Sequence, residues 1–365
     1  MTKYKIAVYA IARNEEKNVL EWYESMKEAD EIVVLDTGST DNTINLLKKC
    51  PKIKVYKKEI IPWRFDVARN KSLSYVSKNT DICVCTDLDE RLEKGWRKHL
   101  EKSWQKDTTR ARYLYNWNFD AQGKPGTTFY LNKIHQRHNY SWVNAVHEIL
   151  VSSTKEKEIL IPNIVLNHYQ DYKKERTSYL ALLELSVKEN PFNDRNTHYL
   201  GREYMYYEMW DKAIDTLHKH LKLPSSTWQD ERCASMRYIA YSYYQKEYLE
   251  EAIMWYKKAI KEAPYLREPY FDLGNLYYLI KDYKQSEKYL KQALKIKEKT
   301  LTYINEEQAW NETIYDILSI SCYYNNKLKE SIRYIKKALK LNNQDKRLLT
   351  NYQIIITQLK KDICN

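Results

Sequence analysis

Between residues 5 and 86, four short apolar runs (5–12, 31–35, 53–56 and 81–86) alternate with segments whose apolar residues recur at helical spacing. Continuous apolar runs suit strands buried on both faces. Strand–helix alternation at this interval predicts a parallel sheet covered by helices. The first helical segment carries Val19, Leu20, Trp22, Tyr23 and Met26, a second runs through Leu47, and a third covers about residues 68–76. Ligands of such sheets sit beyond the carboxyl ends of the strands. Three polar clusters occupy those positions here: Arg13, Asn14 and Glu15; Asp36, Ser39 and Asp41; Asp87, Asp89 and Glu90. The pattern thus constrains both the fold and the edge where its chemistry belongs.

The third cluster closes the stretch Cys83-Val84-Cys85-Thr86-Asp87-Leu88-Asp89-Glu90. Side chains two apart in an extended chain point the same way, so Asp87 and Asp89 can converge on one cation. Their hard oxygens suit Mg²⁺ or Mn²⁺, ions that keep positions open for substrate phosphates. No G-x-G-x-x-G and no P-loop occurs, which disfavours a nicotinamide cofactor or ATP. The clusters also admit structural roles. Ser39 or Thr40 reads as the N-cap of the second helix, with Asp41 favouring its positive end and Gly38 turning the chain. Asp36 ends a buried strand, a position that favours ligand binding. Arg69, next to Asn70 at a helix start, suits either an ion pair or a diphosphate. Trp63 and Phe65 read as packing.

The chain has 365 residues, enough for two domains. Its net charge of +12 is diffuse: 28 Lys and Arg against 22 Asp and Glu in residues 1–170, and 33 against 27 in residues 171–365. A nucleic-acid binder concentrates such charge in a stripe or tail, so an acidic small substrate fits better and no nucleic-acid partner is expected. The six cysteines show no C-x-x-C and no zinc spacing, as expected of reduced thiols in a cytoplasmic protein. No signal pattern or membrane span is apparent. His135, His138, His147 and His168 fall in a region that reads as loop-rich, closed by a last strand over residues 161–166.

Four motifs recur in a familiar order: Ala10-Ile11-Ala12-Arg13-Asn14-Glu15-Glu16, Val34-Leu35-Asp36-Thr37-Gly38-Ser39-Thr40-Asp41, Phe65-Asp66-Val67-Ala68-Arg69-Asn70 and Thr86-Asp87-Leu88-Asp89-Glu90. Together with Trp142-Val143-Asn144-Ala145-Val146-His147-Glu148, they resemble family 2 glycosyltransferases of the GT-A fold, specifically the subgroup with C-terminal helical repeats. That subgroup includes bacterial peptide glycosyltransferases of the sublancin, or glycocin, type that modify bacteriocins. The resemblance implies a UDP-sugar donor held by Ala10, Ile11, Arg13, Asn14, Glu15, Asp36, Ser39, Asp41, Asp66, Arg69, Asp87 and Leu88. Asp36 would accept from the uracil imide. It further implies Mg²⁺ or Mn²⁺ on Asp89 and Asp87 with His147, and catalysis by Glu148, Glu90 and Asp89. No downstream Glu-Asp pair of the kind many family 2 enzymes use as base occurs in residues 91–150.

From about residue 196 the chain repeats. Ala240, Ala252, Tyr256, Ala259 and Pro264 follow the 34-residue tetratricopeptide pattern, and Gly274, Tyr277, Ser286, Leu290 and Ala293 continue it. Gly201 and Ala213 belong to an earlier unit; Ser319, Ser331, Ile335 and Ala338 belong to a later one. About eleven additional residues near 297–311 lengthen one connection. The expectation is therefore a Rossmann-like GT-A domain with a mostly parallel sheet over residues 1–177, followed by an all-α tetratricopeptide-like domain over 178–365. Function follows as inverting, metal-dependent transfer of a hexose or N-acetylhexosamine from a UDP-sugar to a Cys thiol or Ser/Thr hydroxyl of a peptide. The repeats would hold the peptide or form a homodimer. Alternatives are a transferase for surface glycan or flagellin, and a repeat scaffold with an inactive nucleotide-sugar domain.

Overall fold

The structure is a computed structural model describing residues 3–120, 123–170 and 179–364. The chain divides into two compact units, one running to Glu189 and including Leu301–Tyr303, the other comprising Asn190–Thr300 and the residues from Ile304 onward. The expected domain boundary after residue 177 lies outside the described residues.

In the first unit β1 (Ile6–Ala12), α1 (Val19–Met26), β2 (Glu31–Asp36), α2 (Thr43–Lys49), β3 (Ile53–Lys57), α3 (Phe65–Ser74) and β4 (Ile82–Cys85) alternate. Then follow β5 (Glu90–Leu92), α4 (Trp96–Ser103), β6 (Arg110–Asn116), β7 (Thr128–Gln136), the hairpin β8 (Tyr140–Val143) and β9 (Ile149–Ser152), β10 (Glu158–His168) and α5 (Tyr179–Glu189). Eight strands form one sheet in the order β3-β2-β1-β4-β7-β6-β10-β5. Pairs β1–β2, β1–β4, β2–β3 and β6–β10 are parallel, while β7 and β5 run against their neighbours.

Alternate strand residues feed opposite layers. Ile6, Val8, Ala10, Ile32, Val34, Ile82 and Val84 pack with Trp22, Met26, Trp96 and Leu100. Ala7, Tyr9, Val33, Cys83 and Cys85 pack with Leu73, Val76, Trp142 and Leu150. Burial on both faces explains why these strands show no polar alternation. The sheet extends further than expected. The region that reads as loop-rich supplies β7 to β10, whose half-buried residues interleave with polar ones, and the last strand runs through His168.

The second unit is helical: α6 (Asp194–Tyr206) with α7 (Trp210–Lys222), α8 (Gln229–Gln245) with α9 (Leu249–Glu262), α10 (Glu268–Leu279) with α11 (Tyr283–Ala293), and α12 (Glu312–Tyr324) with α13 (Leu328–Leu341), ending on α14 (Lys346–Cys364). Each pair is joined by a turn through one left-handed residue, Glu208, Glu247, Lys281 or Asn326, at φ between 58° and 65°. Small residues sit where paired helices touch. A methyl group added to Gly274 would stand 2.7 Å from Leu290 Cγ, and one on Gly201 would stand 2.5 Å from Leu217 Cγ. The lengthened connection is tied down rather than loose. The Arg267 guanidinium lies 3.7 Å from the Trp310 ring centroid, and Trp310 Nε1 donates to Glu268 at 2.8 Å.

That crossing yields a prediction. Ala favours a helix by about 0.5–1 kcal/mol over Gly, but overpacking costs about 1–3 kcal/mol. Gly274→Ala should therefore lower the stability of the repeat unit, read as a reduced midpoint in urea unfolding. An unchanged or raised midpoint would contradict the close approach of α10 and α11.

Candidate functional site

Six strands of the sheet share one direction, so their carboxyl ends, with the start of β5, meet on one edge. There the first two loops are laced together. Asn14, in the left-handed region at φ 55°, donates its amide to Ser39 Oγ at 2.9 Å, and its Oδ1 accepts from Thr40 N at 2.8 Å. Glu15 N donates to Thr43 Oγ1 and Glu16 N to Asp41 Oδ2. Ser39 is thus an inter-loop acceptor, not the N-cap of α2; the residue before that helix is Asn42, and neither Ser39 nor Thr40 caps it. Ala10 is wholly buried in β1, with Ser72 Oγ donating to its carbonyl oxygen, and Ile11 is half-buried, whereas Arg13 is exposed.

Asp36 is 2% exposed. Its Oδ1 accepts from the amides of Gly38 and Ser39 at 3.1 and 3.0 Å, while Oδ2 is buried without a partner. A buried carboxylate oxygen left without a donor is costly, so it marks a place where a ligand N–H would be stabilising.

Arg69 ties three separate elements together. From α3 its Nη2 donates to Asp87 at 3.0 Å, its Nε to Glu148 and its Nη1 to Cys85 Sγ, beneath the Trp142 ring. Lys133 on β7 reaches Asp87 at 3.5 Å and Glu90 at 3.8 Å. Burial alone would raise the pKa of Asp87, but Arg69 and Lys133 outweigh it and hold the carboxyl well below the usual range. Glu90, 1% exposed, is pushed up by burial and by the neighbouring Asp87 and Asp89 despite Lys133; its Oε2 accepts the Asp87 amide at 2.8 Å. Leu88 turns inward and its side chain serves the core. Asp66 has both oxygens engaged by Arg64, at 3.0 and 2.9 Å. Arg69 is accordingly an internal ion-pair partner and does not reach outward as a free diphosphate ligand.

Asp89 faces a different partner. His168, at the end of β10, places Nε2 3.3 Å from Asp89 Oδ2, and its Nδ1 lies 3.0 Å from the Trp117 carbonyl oxygen. The carbonyl fixes the proton on Nδ1, which turns the Nε2 lone pair toward the carboxylate. A second proton, or a cation shared by the two atoms, satisfies that arrangement. Burial lowers the His168 pKa, and the Asp89 hydrogen bond more than reverses it. His147 stands at φ 49° with its ring against Tyr179. Among the described residues Asp87, Asp89 and His147 do not gather as a three-ligand group; Glu287, Cys322 and Glu330 do, but Lys291 and Lys327 already neutralise those carboxylates.

The loop that carries Glu148 is clamped from below. Asn70 Nδ2 donates to the Trp142 carbonyl and Asn70 Oδ1 accepts the Trp142 amide, both at 2.8 Å. Trp142 Nε1 donates to Tyr9 Oη, which in turn donates to His135 Nε2. Lys133, His168, Trp117 and the Asn70 clamp were not among the residues singled out as ligands. The signal for His168 is its place two residues after the expected last strand over residues 161–166.

Residues 8–150 match the family described as Glycosyl transferase family 2, and residues 239–265 and 268–300 match the tetratricopeptide repeat. The chain carries a family 2 glycosyltransferase domain and tetratricopeptide repeats. No curated protein matches it. Similar solved structures include a thermophilic tetratricopeptide protein of Thermus thermophilus, 22% identical over 49% of this chain and 89% of that one, TM-score 0.36. MamA is 18% identical over 49% and 99%, TM-score 0.38. The Cut9–Hcn1 assembly is 14% identical over 50% and 33%, TM-score 0.41. No described helix of the glycosyltransferase domain or the repeats is long and apolar enough to cross a membrane.

The buried polar groups of this domain support two tests. Arg69→Met strands Asp87 and Glu148, and breaking such a pair costs about 3–5 kcal/mol; thermal unfolding of the first unit should drop accordingly, and a shift within error would refute the bridging role. His135 is fully buried, and burial lowers its pKa to about 3 from an ordinary value of 6.5. An imidazole kept neutral stabilises the fold above pH 6.5, and that contribution fades as pH falls from 6.5 toward 3. His135→Gln should flatten the acid limb of the stability–pH curve; an equally steep limb would sink the assignment.

Proposed function

We propose that this protein is an inverting, metal-dependent glycosyltransferase that moves a sugar from a UDP-sugar to a thiol or hydroxyl of a peptide held by its repeats. The observation carrying this reading is the unpartnered Asp36 oxygen on the same sheet edge as the Asp89–His168 pair. Asp36 ends β2, while the Asp89–His168 pair joins the loop after β4 to the end of β10, and β2, β4 and β10 run in the same direction. A nucleoside diphosphate with its base at Asp36 and its phosphates at Asp89 would lie along that edge.

Asp36 Oδ2 accepts the uracil imide proton. The laced loops carrying Arg13, Asn14, Glu15, Ser39 and Asp41 shape the wall for the nucleotide, with Asp66 and its Arg64 partner beside it. Asp89 and His168 fit a divalent cation: one carboxylate oxygen and one imidazole nitrogen face each other with the imidazole's far side anchored. The mixed donor set favours Mn²⁺ over Mg²⁺. When bound, such a cation neutralises charge on the departing diphosphate. Asp87 is held charged by Arg69 and Lys133, which suits hydrogen bonding to ribose. His147 shapes the same loop as Glu148.

In the reaction the acceptor sulfur or oxygen attacks the anomeric carbon as the carbon–oxygen bond to UDP breaks, and the acceptor's proton passes to Glu148. Arg69 positions that carboxylate. Glu90, buried against the Asp87 amide, orders the acidic loop. A thiol with pKa near ~8.5 needs less help from a base than a hydroxyl does.

Release of UDP from UDP-glucose or UDP-N-acetylglucosamine, with Mn²⁺ and no acceptor, is the direct test. Asp89→Ala should reduce release at least ~100-fold, and Asp36→Asn should weaken UDP binding by roughly 1.5–3 kcal/mol. Undiminished release by Asp89→Ala with a chelator present would end the metal reading; UDP binding without any turnover would mark an inactive scaffold.

A further inference from the structure

The repeat unit contains a groove of about 480 Å³ whose chemistry the tetratricopeptide pattern does not dictate. Its floor holds Arg237, 3% exposed, between two carboxylates: Asp272 at 2.6 Å and Glu306 at 2.8 Å. Its rim presents Tyr206, 59% exposed, Tyr241, 40% exposed, and Leu279, 49% exposed. Glu208 adds a third carboxylate to the lining, which thus carries three acids and one guanidinium, with Arg202 beside it 5.8 Å from the Tyr206 ring centroid.

Two features make this excess informative. Glu306 comes from the lengthened connection, which Trp310 and Asn305 anchor on Glu268. The added chain therefore carries an acid into the groove where a repeat of ordinary length has no residue. A single guanidinium is also too little for its neighbours. Burial raises the Asp272 carboxyl to about 7 and Glu306 pushes in the same direction, against Arg237. An acidic, aromatic-rimmed groove on a chain of net charge +12 selects for a cation.

We propose that this groove binds an extended peptide segment through a lysine or arginine side chain set between Glu306, Glu208 and the Tyr206 and Tyr241 rings, with an apolar neighbour on Leu279. That the peptide is the sugar acceptor rests on the function proposed above; the binding chemistry does not.

The test uses the full chain and three fluorescein-labelled ten-residue peptides in which leucine alternates with lysine, glutamine or glutamate. Fluorescence anisotropy should show the lysine peptide binding at least fivefold tighter than the glutamine peptide, with affinity falling as salt rises. Glu208→Lys, at an exposed position, and Tyr241→Ala should each weaken it at least fivefold; Glu306→Gln should do so while circular dichroism shows an intact fold. Equal or tighter binding of the glutamate peptide, no binding at all, or indifference to Glu208→Lys overturns the proposal. So does a dimer by gel filtration that Glu208→Lys dissociates, since a second copy would then fill the groove. UDP release measured on the same preparations keeps the two readings apart. Turnover without lysine-peptide binding defeats the groove alone; lysine-peptide binding without turnover defeats the transferase alone.

Discussion

The glycosyltransferase domain depends on one buried guanidinium. Arg69 reaches from α3 to the acidic loop after β4 and to Glu148 beyond the β8 strand, joining segments far apart in sequence. A charge at 4% exposure is tolerable only where partners surround it, and here they do: two carboxylates, the Cys85 sulfur and the Trp142 ring. The desolvation cost converts into placement, because Asp87 and Glu148 cannot leave without stranding the cation. The Asn70 clamp on Trp142 serves the same end from below.

This division of labour separates charges that hold from charges that act. Asp87, Glu90, Arg69 and Lys133 neutralise one another inside the sheet edge. Among the described residues of this domain, Asp36 is the buried carboxylate with an oxygen left without a partner, and Asp89 pairs with His168 on the same edge. A buried oxygen of that kind calls for an explanation, and a ligand donor is the one that fits its place at the strand ends.

Strand ends were the legible part of the site. The burial of β1, β2 and β4 on both faces leaves a plain apolar run in the sequence, and the residue after each run marks the functional edge. Partners were not legible, because they come from strands without such runs. Lys133 lies in β7, where half-buried and polar residues mix, so nothing local announces that its side chain meets Asp87. The expected cap at Ser39 failed for a related reason: a hydroxyl before a helix has two possible donors, and here the amide of Asn14, across the loop, takes it. In the repeats, position-specific small residues carry the signal, since Gly201 and Gly274 stand where no side chain fits. The lengthened connection was visible as a break in period, but its acid could be placed in a groove only by the fold.

That break in period bears on how a repeat array acquires selectivity. Helix pairs stacked by a 34-residue rule reproduce the same backbone curve whatever lines it, so binding chemistry must enter through side chains or through departures from the rule. Here it enters by both routes. Tyrosines on α6 and α8 supply contact surface at low entropic cost, and a departure between α11 and α12 delivers Glu306 against Arg237. An Arg–Asp pair alone would leave the floor neutral and indifferent to charge. In the proposed site, one carboxylate from outside the repeat tips the same floor toward cations.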